Sequence, residues 1–72
     1  MNIAIIGLGY VGLPLSLQFA RSGVTVLGLD IDPAKVGAVN SGRSYIKHIE
    51  SSVIAEAVKM DRLAASTDFS RV

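Results

Sequence analysis

The sequence predicts an α/β fold in which three parallel strands alternate with helices in the order β-α-β-α-β. Two short runs, beginning at Asn2 and Val24, are apolar at nearly every position, as in strands covered on both faces of a sheet. A helical pattern follows each run, and three glycines lie at the first strand-to-helix junction. We therefore expect a parallel sheet joined by right-handed crossovers.

The first strand is predicted over Asn2–Ile6 and the first helix over Tyr10–Ser22. Pro14 lacks an amide hydrogen and is tolerated only in a first turn, which places the helix start near Gly9 or Tyr10. Apolar residues recur at helical spacing and are expected to form the buried face: Val11, Leu13, Leu15, Leu17, Phe19 and Ala20.

The second strand is predicted over Val24–Asp30. Asp32 and the proline that follows it are typical of a helix N-cap and first helical position, so a second helix is expected from Pro33 to about Asn40. Residues Ser41–Ile49 have no clear periodicity and predict a loop.

A third helix is expected after this loop, capped by Ser51 or Ser52. Its inward residues are predicted to be Val53, Ile54, Ala57, Val58 and Met60. Leu63–Ser66 is a candidate third strand. Thr67 or Asp68 is a candidate N-cap for a further helix, of which the sequence contains only the first residues.

The predicted order of strands in the sheet is three, two, one. Both crossovers then run in the same direction, and the helices lie on one face of the sheet. The opposite face carries aliphatic side chains without a cover. We expect residues 1–72 to be a piece of a longer, doubly wound protein, and to self-associate or fold poorly when isolated.

Composition excludes several classes of function. Half of the 72 residues are apolar and the formal net charge is +1, so the chain has a globular composition without the basic surface that nucleic acid requires. It contains no apolar run of roughly 18 residues and no secretory signal pattern, which predicts a cytoplasmic protein with no membrane partner. The sequence has no cysteine, and no metal ligands or catalytic residues are predicted in it.

The glycine spacing is the feature that indicates chemistry. Gly7, Gly9 and Gly12 form the pattern G-x-G-x-x-G between a strand and a helix, which is the context of a dinucleotide-binding fingerprint and predicts a partial Rossmann fold. We therefore expect residues 1–72 to be the amino-terminal half of a dinucleotide-binding domain. The first glycine allows the tight turn, the second lets a pyrophosphate approach, and the third allows close packing of helix and strand. We expect the amides of Tyr10 and Val11 to lie nearest the pyrophosphate.

Asp30 ends the predicted second strand, where a carboxylate can accept hydrogen bonds from the adenosine ribose. A phosphate on that ribose would meet like charge, so the sequence favours NAD over NADP. Lys35 lies one turn into the second helix and could reach the ribose or the pyrophosphate.

Three segments also carry a family resemblance: IAIIGLGYVGLPLSLQFARSG, VLGLDIDPAKVGAVNSGRSYIKHI and LAASTDF. Together they resemble the amino-terminal part of the UDP-glucose/GDP-mannose dehydrogenase family. The run SYIKHI is most similar to its bacterial UDP-N-acetylglucosamine 6-dehydrogenase branch. The resemblance assigns Tyr10 and Val11 to the NAD pyrophosphate, and Asp30 and Lys35 to the adenosine ribose.

The resemblance further implies that the parent protein oxidises the C6 hydroxyl of a UDP-sugar, UDP-N-acetylglucosamine or UDP-glucose, to a carboxylate in two NAD-dependent steps. The family's catalytic cysteine, lysine and acid and its sugar-binding domain would lie downstream of Val72, so this segment alone would lack activity. We expect the parent protein to be a homo-oligomer.

Two other functions are compatible with the glycine pattern. One is a non-catalytic NAD-sensing domain such as those that regulate potassium transport, and the other is a flavoprotein that binds FAD through the same fingerprint. Sensor domains usually return to the third strand sooner, so the long insert Ser41–Met60 favours the enzyme. The GYVGLP run argues against the flavoprotein assignment.

Overall fold

The computed structural model describes residues 2–71, and within them it contains three strands and three helices. The strands are β1 (Asn2–Ile6), β2 (Thr25–Leu29) and β3 (Leu63–Ser66). The helices are α1 (Gly12–Arg21), α2 (Pro33–Asn40) and α3 (Ser51–Lys59), and one turn of 3-10 helix follows at Phe69–Arg71. In this part of the chain, no helix combines the length and the apolar character needed to cross a bilayer.

The sheet is parallel and has the order β1-β2-β3, which confirms the predicted order. In register, Ile3 of β1 lies opposite Val26 of β2, and Val26 lies opposite Leu63 of β3. Helix α1 packs on β2, α2 packs on β3, and α3 contacts both other helices. The core fills the space between the helices and the sheet: Leu8, Leu13, Leu17, Ala20, Val26, Val39, Ile46, Ile54, Ala57, Leu63 and Ala65.

The other face of the sheet is uncovered among the described residues, as the topology predicts. Ala4, Leu27 and Ala64 form one register row across the three strands. Both alanines in this row are exposed, and Ile6 at the end of β1 is 61% exposed. Apolar side chains on this face have no helix against them because both crossovers lie on the opposite side. Self-association of the isolated segment stays a prediction.

Helix α1 departs from its prediction at its start. The helix begins at Gly12 rather than near Gly9 or Tyr10, because residues 9–11 form a turn that closes when the Leu13 amide donates to the Gly9 carbonyl at 3.1 Å. Pro14 is then the third helical residue, inside the turn where no amide partner is needed.

The buried face of α1 is also narrower than predicted. Its buried residues are Leu13, Ser16, Leu17 and Ala20. Three members of the predicted apolar face are exposed instead, Val11 by 78%, Leu15 by 40% and Phe19 by 38%. The helix is apolar on more than one side, so spacing alone does not identify the side that meets the sheet.

Helix α2 agrees closely with prediction. The Asp32 side chain accepts a hydrogen bond from the Ala34 amide at 2.9 Å, which confirms it as the N-cap. The predicted second strand is one residue longer at each end than β2.

Helix α3 differs from prediction at both ends. The N-cap is Glu50, which makes no side-chain capping bond, and the Ser51 hydroxyl instead accepts a hydrogen bond from the Ser44 amide at 2.9 Å. The prediction that Ser51 or Ser52 caps the helix is therefore wrong. Ile54 and Ala57 are buried as expected, but Met60 follows the last helical residue and is 60% exposed.

Candidate dinucleotide-binding site

The turn after β1 depends on Gly7, which has a φ of +90° that a residue with a side chain rarely adopts. Its amide donates to the Leu29 carbonyl at 2.6 Å, so the turn remains attached to the end of β2. The next side chain, Leu8, is fully buried. It lies over Gly28, where a Cβ would be only 2.5 Å from a Leu8 methyl carbon. This contact explains the glycine within β2.

Gly12 allows α1 to approach the turn closely. A Cβ at this position would lie 1.7 Å from the Gly7 carbonyl oxygen and 2.8 Å from the Gly7 carbonyl carbon. Both atoms belong to the backbone and have no side-chain rotamer with which to move aside. The predicted packing role of this glycine is therefore observed directly.

Gly9 lies at the open side of the same turn. A Cβ at this position would have no atom within 4 Å, so the glycine leaves free space rather than relieving an internal contact. The following residues, Tyr10 and Val11, are 79% and 78% exposed. Within residues 2–71 their amides donate no hydrogen bond to another residue. The turn therefore presents unpaired amides at the positive end of a helix dipole, an arrangement that suits a phosphate group.

Asp30 is 9% exposed and holds the turn in place. One carboxylate oxygen accepts from the Leu8 amide at 2.8 Å, and the other accepts from the Asp32 amide at 2.9 Å. The pKa of the Asp30 carboxyl lies below its ordinary value of 3.8, mainly because the carboxylate accepts the hydrogen bond from the Leu8 amide. The hydrogen bond from the Asp32 amide and the positive charge of Lys35 also lower this pKa, whereas burial raises it. Asp30 is thus ionised at neutral pH.

A hollow of about 340 Å³ lies between the glycine-rich turn and α2. Its lining comprises Gly9, Tyr10, Asp32, Ala34, Lys35, Ala38, Tyr45 and Ile46. Its volume is within the range of small-molecule sites, about 300–1,000 Å³. The structure therefore brings three predicted site residues, Gly9, Tyr10 and Lys35, to one concave surface.

The other predicted site residues surround this hollow. Gly7 and Gly12 shape the turn from behind, and Val11 continues its exposed end. Asp30 does not line the hollow, but it is joined to it through its bonds to the Leu8 and Asp32 amides. A carboxylate oxygen can accept more than one hydrogen bond, so these two bonds leave it acceptor capacity.

Tyr45 is a lining residue of the hollow that sequence reasoning did not assign to the site. Its ring lines the hollow, and its hydroxyl donates to the Leu8 carbonyl at 2.5 Å across 37 residues of chain. Burial is the main cause that raises the pKa of Tyr45 to about 12, and the charges of Asp30 and Asp32 add to it. No local pattern marks this residue, because its partner lies on a distant turn. The available signals were its place in a loop after the second helix and in the run SYIKHI.

The fold and site together define a class of protein. A parallel β-α-β-α-β unit with three glycines at its first turn and an acid at the end of β2 is the nucleotide-binding part of a Rossmann-type domain. Unpaired amides and an uncovered glycine at that turn fit a diphosphate.

The particular family follows from comparison with known proteins. Residues 1–72 match the NAD binding domain of the UDP-glucose/GDP-mannose dehydrogenase family. The chain belongs to this family, and its cofactor is NAD.

Individual relatives agree with this family. The chain is 41% identical over 67 residues to a UDP-N-acetyl-D-mannosamine dehydrogenase of Escherichia coli, an alignment that covers 92% of this chain and 16% of the relative. It is 32% identical over 60 residues to a UDP-N-acetyl-D-glucosamine 6-dehydrogenase of Pseudomonas aeruginosa, covering 83% of this chain and 14% of that protein.

A solved structure agrees with both the fold and the family. The GDP-mannose dehydrogenase of Pseudomonas aeruginosa superposes with a TM-score of 0.92 at 32% identity, covering 99% of this chain and 16% of that chain. The chain thus spans about a sixth of the length of the proteins it matches.

Proposed function

We propose that residues 1–72 form the amino-terminal half of the NAD-binding domain and hold the ADP portion of NAD in a nucleotide-sugar 6-dehydrogenase. The amides of Tyr10 and Val11 would bind the pyrophosphate, with Gly7, Gly9 and Gly12 shaping the turn. Asp30 and Lys35 would bind the adenosine ribose. When bound, NAD supplies the hydride acceptor, and the residues of this chain bind and orient it.

A single observation carries this proposal. The turn at residues 9–11 leaves backbone amides unpaired and space above Gly9 open, while Asp30 and Leu8 secure the turn from below. A glycine turn that served only the fold would not need amides without acceptors or open space next to Gly9. The position of Lys35 on the lining of the adjoining hollow supports its role beside the ribose.

For the parent protein we propose oxidation of the C6 hydroxyl of a UDP-sugar to a carboxylate, with UDP-N-acetylglucosamine and UDP-glucose as the first substrates to test. The relatives named above are dehydrogenases of different nucleotide sugars, and this supports an enzyme over the NAD-sensing alternative. The sugar-binding and catalytic groups are proposed to lie outside residues 1–72. Cytoplasmic location and homo-oligomeric assembly remain our predictions for the parent protein.

The cofactor assignment can be tested by titrating the full-length protein with NAD and with NADP in a calorimeter. We expect NAD to bind at least about tenfold more tightly, because a ribose phosphate would face the ionised Asp30. Equal affinities would contradict the role of Asp30 in excluding the phosphate.

The proposed reaction needs a second measurement with the same protein. A panel of UDP-N-acetylglucosamine, UDP-glucose, UDP-N-acetylmannosamine and GDP-mannose would identify the sugar. Each sugar oxidised to the carboxylate should yield two NADH. A protein that binds NAD but oxidises none of the four would favour the sensing alternative.

A further inference from the structure

Among the described residues, one hydrogen bond joins the loop between α2 and α3 to the glycine-rich turn. Tyr45 is half-buried, and its hydroxyl donates to the carbonyl of Leu8. The same loop is tied to itself and to α3 by separate bonds, including the one from the Ser44 amide to the Ser51 hydroxyl. The bond from Tyr45 is thus separate from those that tie the loop to itself and to α3.

Leu8 is held at three points. Its amide donates to Asp30, its side chain is buried over Gly28, and its carbonyl accepts from Tyr45. The first two contacts fix the residue itself. The third acts on the following peptide unit, which consists of the Leu8 carbonyl and the Gly9 amide.

That peptide unit is planar and trans, so the Leu8 carbonyl and the Gly9 N–H point in opposite directions. Fixing the carbonyl on Tyr45 therefore fixes the direction of the Gly9 N–H. This amide has no acceptor within residues 2–71, and Gly9 is only half-buried. Glycine allows the unit to rotate easily, and a rotated unit would present a carbonyl oxygen to an anion where the amide should be.

We propose that Tyr45 is a positioning residue for the dinucleotide: its hydroxyl holds the Leu8–Gly9 peptide in the orientation that leaves the Gly9 amide free for a phosphate oxygen. This inference rests on the proposed function, since it assumes that the turn binds the pyrophosphate. A tyrosine hydroxyl is protonated at neutral pH and a carbonyl can only accept, so the direction of the bond is defined.

The test is Tyr45→Phe in the full-length protein, which removes the hydroxyl and keeps the ring. We expect the Kd and the KM for NAD to rise about 3- to 10-fold, which corresponds to the net contribution of one hydrogen bond. The kcat should stay within about twofold of the wild-type value. Ser51→Ala is the matched control, because it removes one hydrogen bond from the same loop without touching the glycine-rich turn. We expect it to leave both constants for NAD within about twofold.

Two outcomes of the variant experiments would overturn the inference. One is a Tyr45→Phe protein with unchanged constants for NAD, and the other is a Ser51→Ala protein that weakens NAD binding as much, since loop stability would then explain both. Hydrogen exchange of the wild-type protein gives a test that does not depend on a variant. NAD should slow exchange in residues 41–50, and no change there would also overturn it. A wild-type protein that binds no NAD would instead refute the proposed function.

Discussion

Replacing Gly12 with alanine is expected to lower the free energy of unfolding by at least about 3 kcal/mol and to weaken NAD binding about 100-fold or more. The added Cβ would lie 1.7 Å from the Gly7 carbonyl oxygen, a separation that forces α1 away from the turn. Because the unpaired amides at residues 10 and 11 belong to the same turn and helix start, their positions would change with it. Urea unfolding and NAD titration of the full-length variant measure the two effects.

Gly37→Ala provides the matched control for this prediction. Gly37 lies within α2, and a Cβ there would have no atom within 4 Å. Alanine should therefore raise stability by about 0.5–1 kcal/mol, since it has the higher helix propensity. If Gly12→Ala were tolerated as well as Gly37→Ala, the close packing of α1 on the turn could not be a requirement of the fold.

Replacing Asp30 with asparagine is expected to lower the free energy of unfolding by about 1.5–3 kcal/mol. The carboxylate accepts from the amides of Leu8 and Asp32 on separate oxygens, and an asparagine has only one oxygen to offer. The turn would lose an anchor, so we also expect NAD affinity to fall about tenfold or more. Denaturant unfolding and calorimetry of the full-length variant measure these changes.

The stability difference between wild type and Asp30→Asn should depend on pH. Because the pKa of Asp30 is lower in the folded protein than the ordinary value of 3.8, its contribution is complete above that value. The contribution is lost as pH falls further, through the folded-state pKa. Unfolding experiments should therefore show a constant difference between pH 6 and 8 and a shrinking one below about pH 4.

Asp32→Asn separates this effect from a general loss of negative charge. This substitution also removes one negative charge, two residues away from Asp30, and asparagine remains a good N-cap for α2. We expect its stability to stay within about 0.5 kcal/mol of wild type at every pH tested. A loss equal to that of Asp30→Asn would mean that charge, rather than the bond to Leu8, explains the effect.

Short-range patterns in the sequence were sufficient for the architecture and for most of the site. Strand β1, the Asp32 cap and strand β3 follow from apolar runs, turn residues and capping chemistry, all of which act between neighbours in the chain. The glycine spacing predicted the turn, because only a residue without a side chain tolerates the conformation of Gly7 and the approach at Gly12.

Side-chain contacts between distant segments could not be predicted in this way. The sequence alone did not indicate which side of α1 meets the sheet, since Leu15 and Phe19 have helical spacing as regular as that of Leu13 and Leu17. It placed Asp30 at the end of a strand but gave no sign that its carboxylate secures Leu8.

The sequence by itself thus determined the order of helices and strands and the glycine-rich turn, because both depend on local conformational preference. The parallel sheet followed from the handedness of the crossovers. Only the tertiary structure decided what holds that turn in place, the carboxylate of Asp30 on one side and the hydroxyl of Tyr45 on the other. These hydrogen bonds join residues 22 and 37 positions apart, and no periodicity or spacing rule reports on partners that only folding brings together.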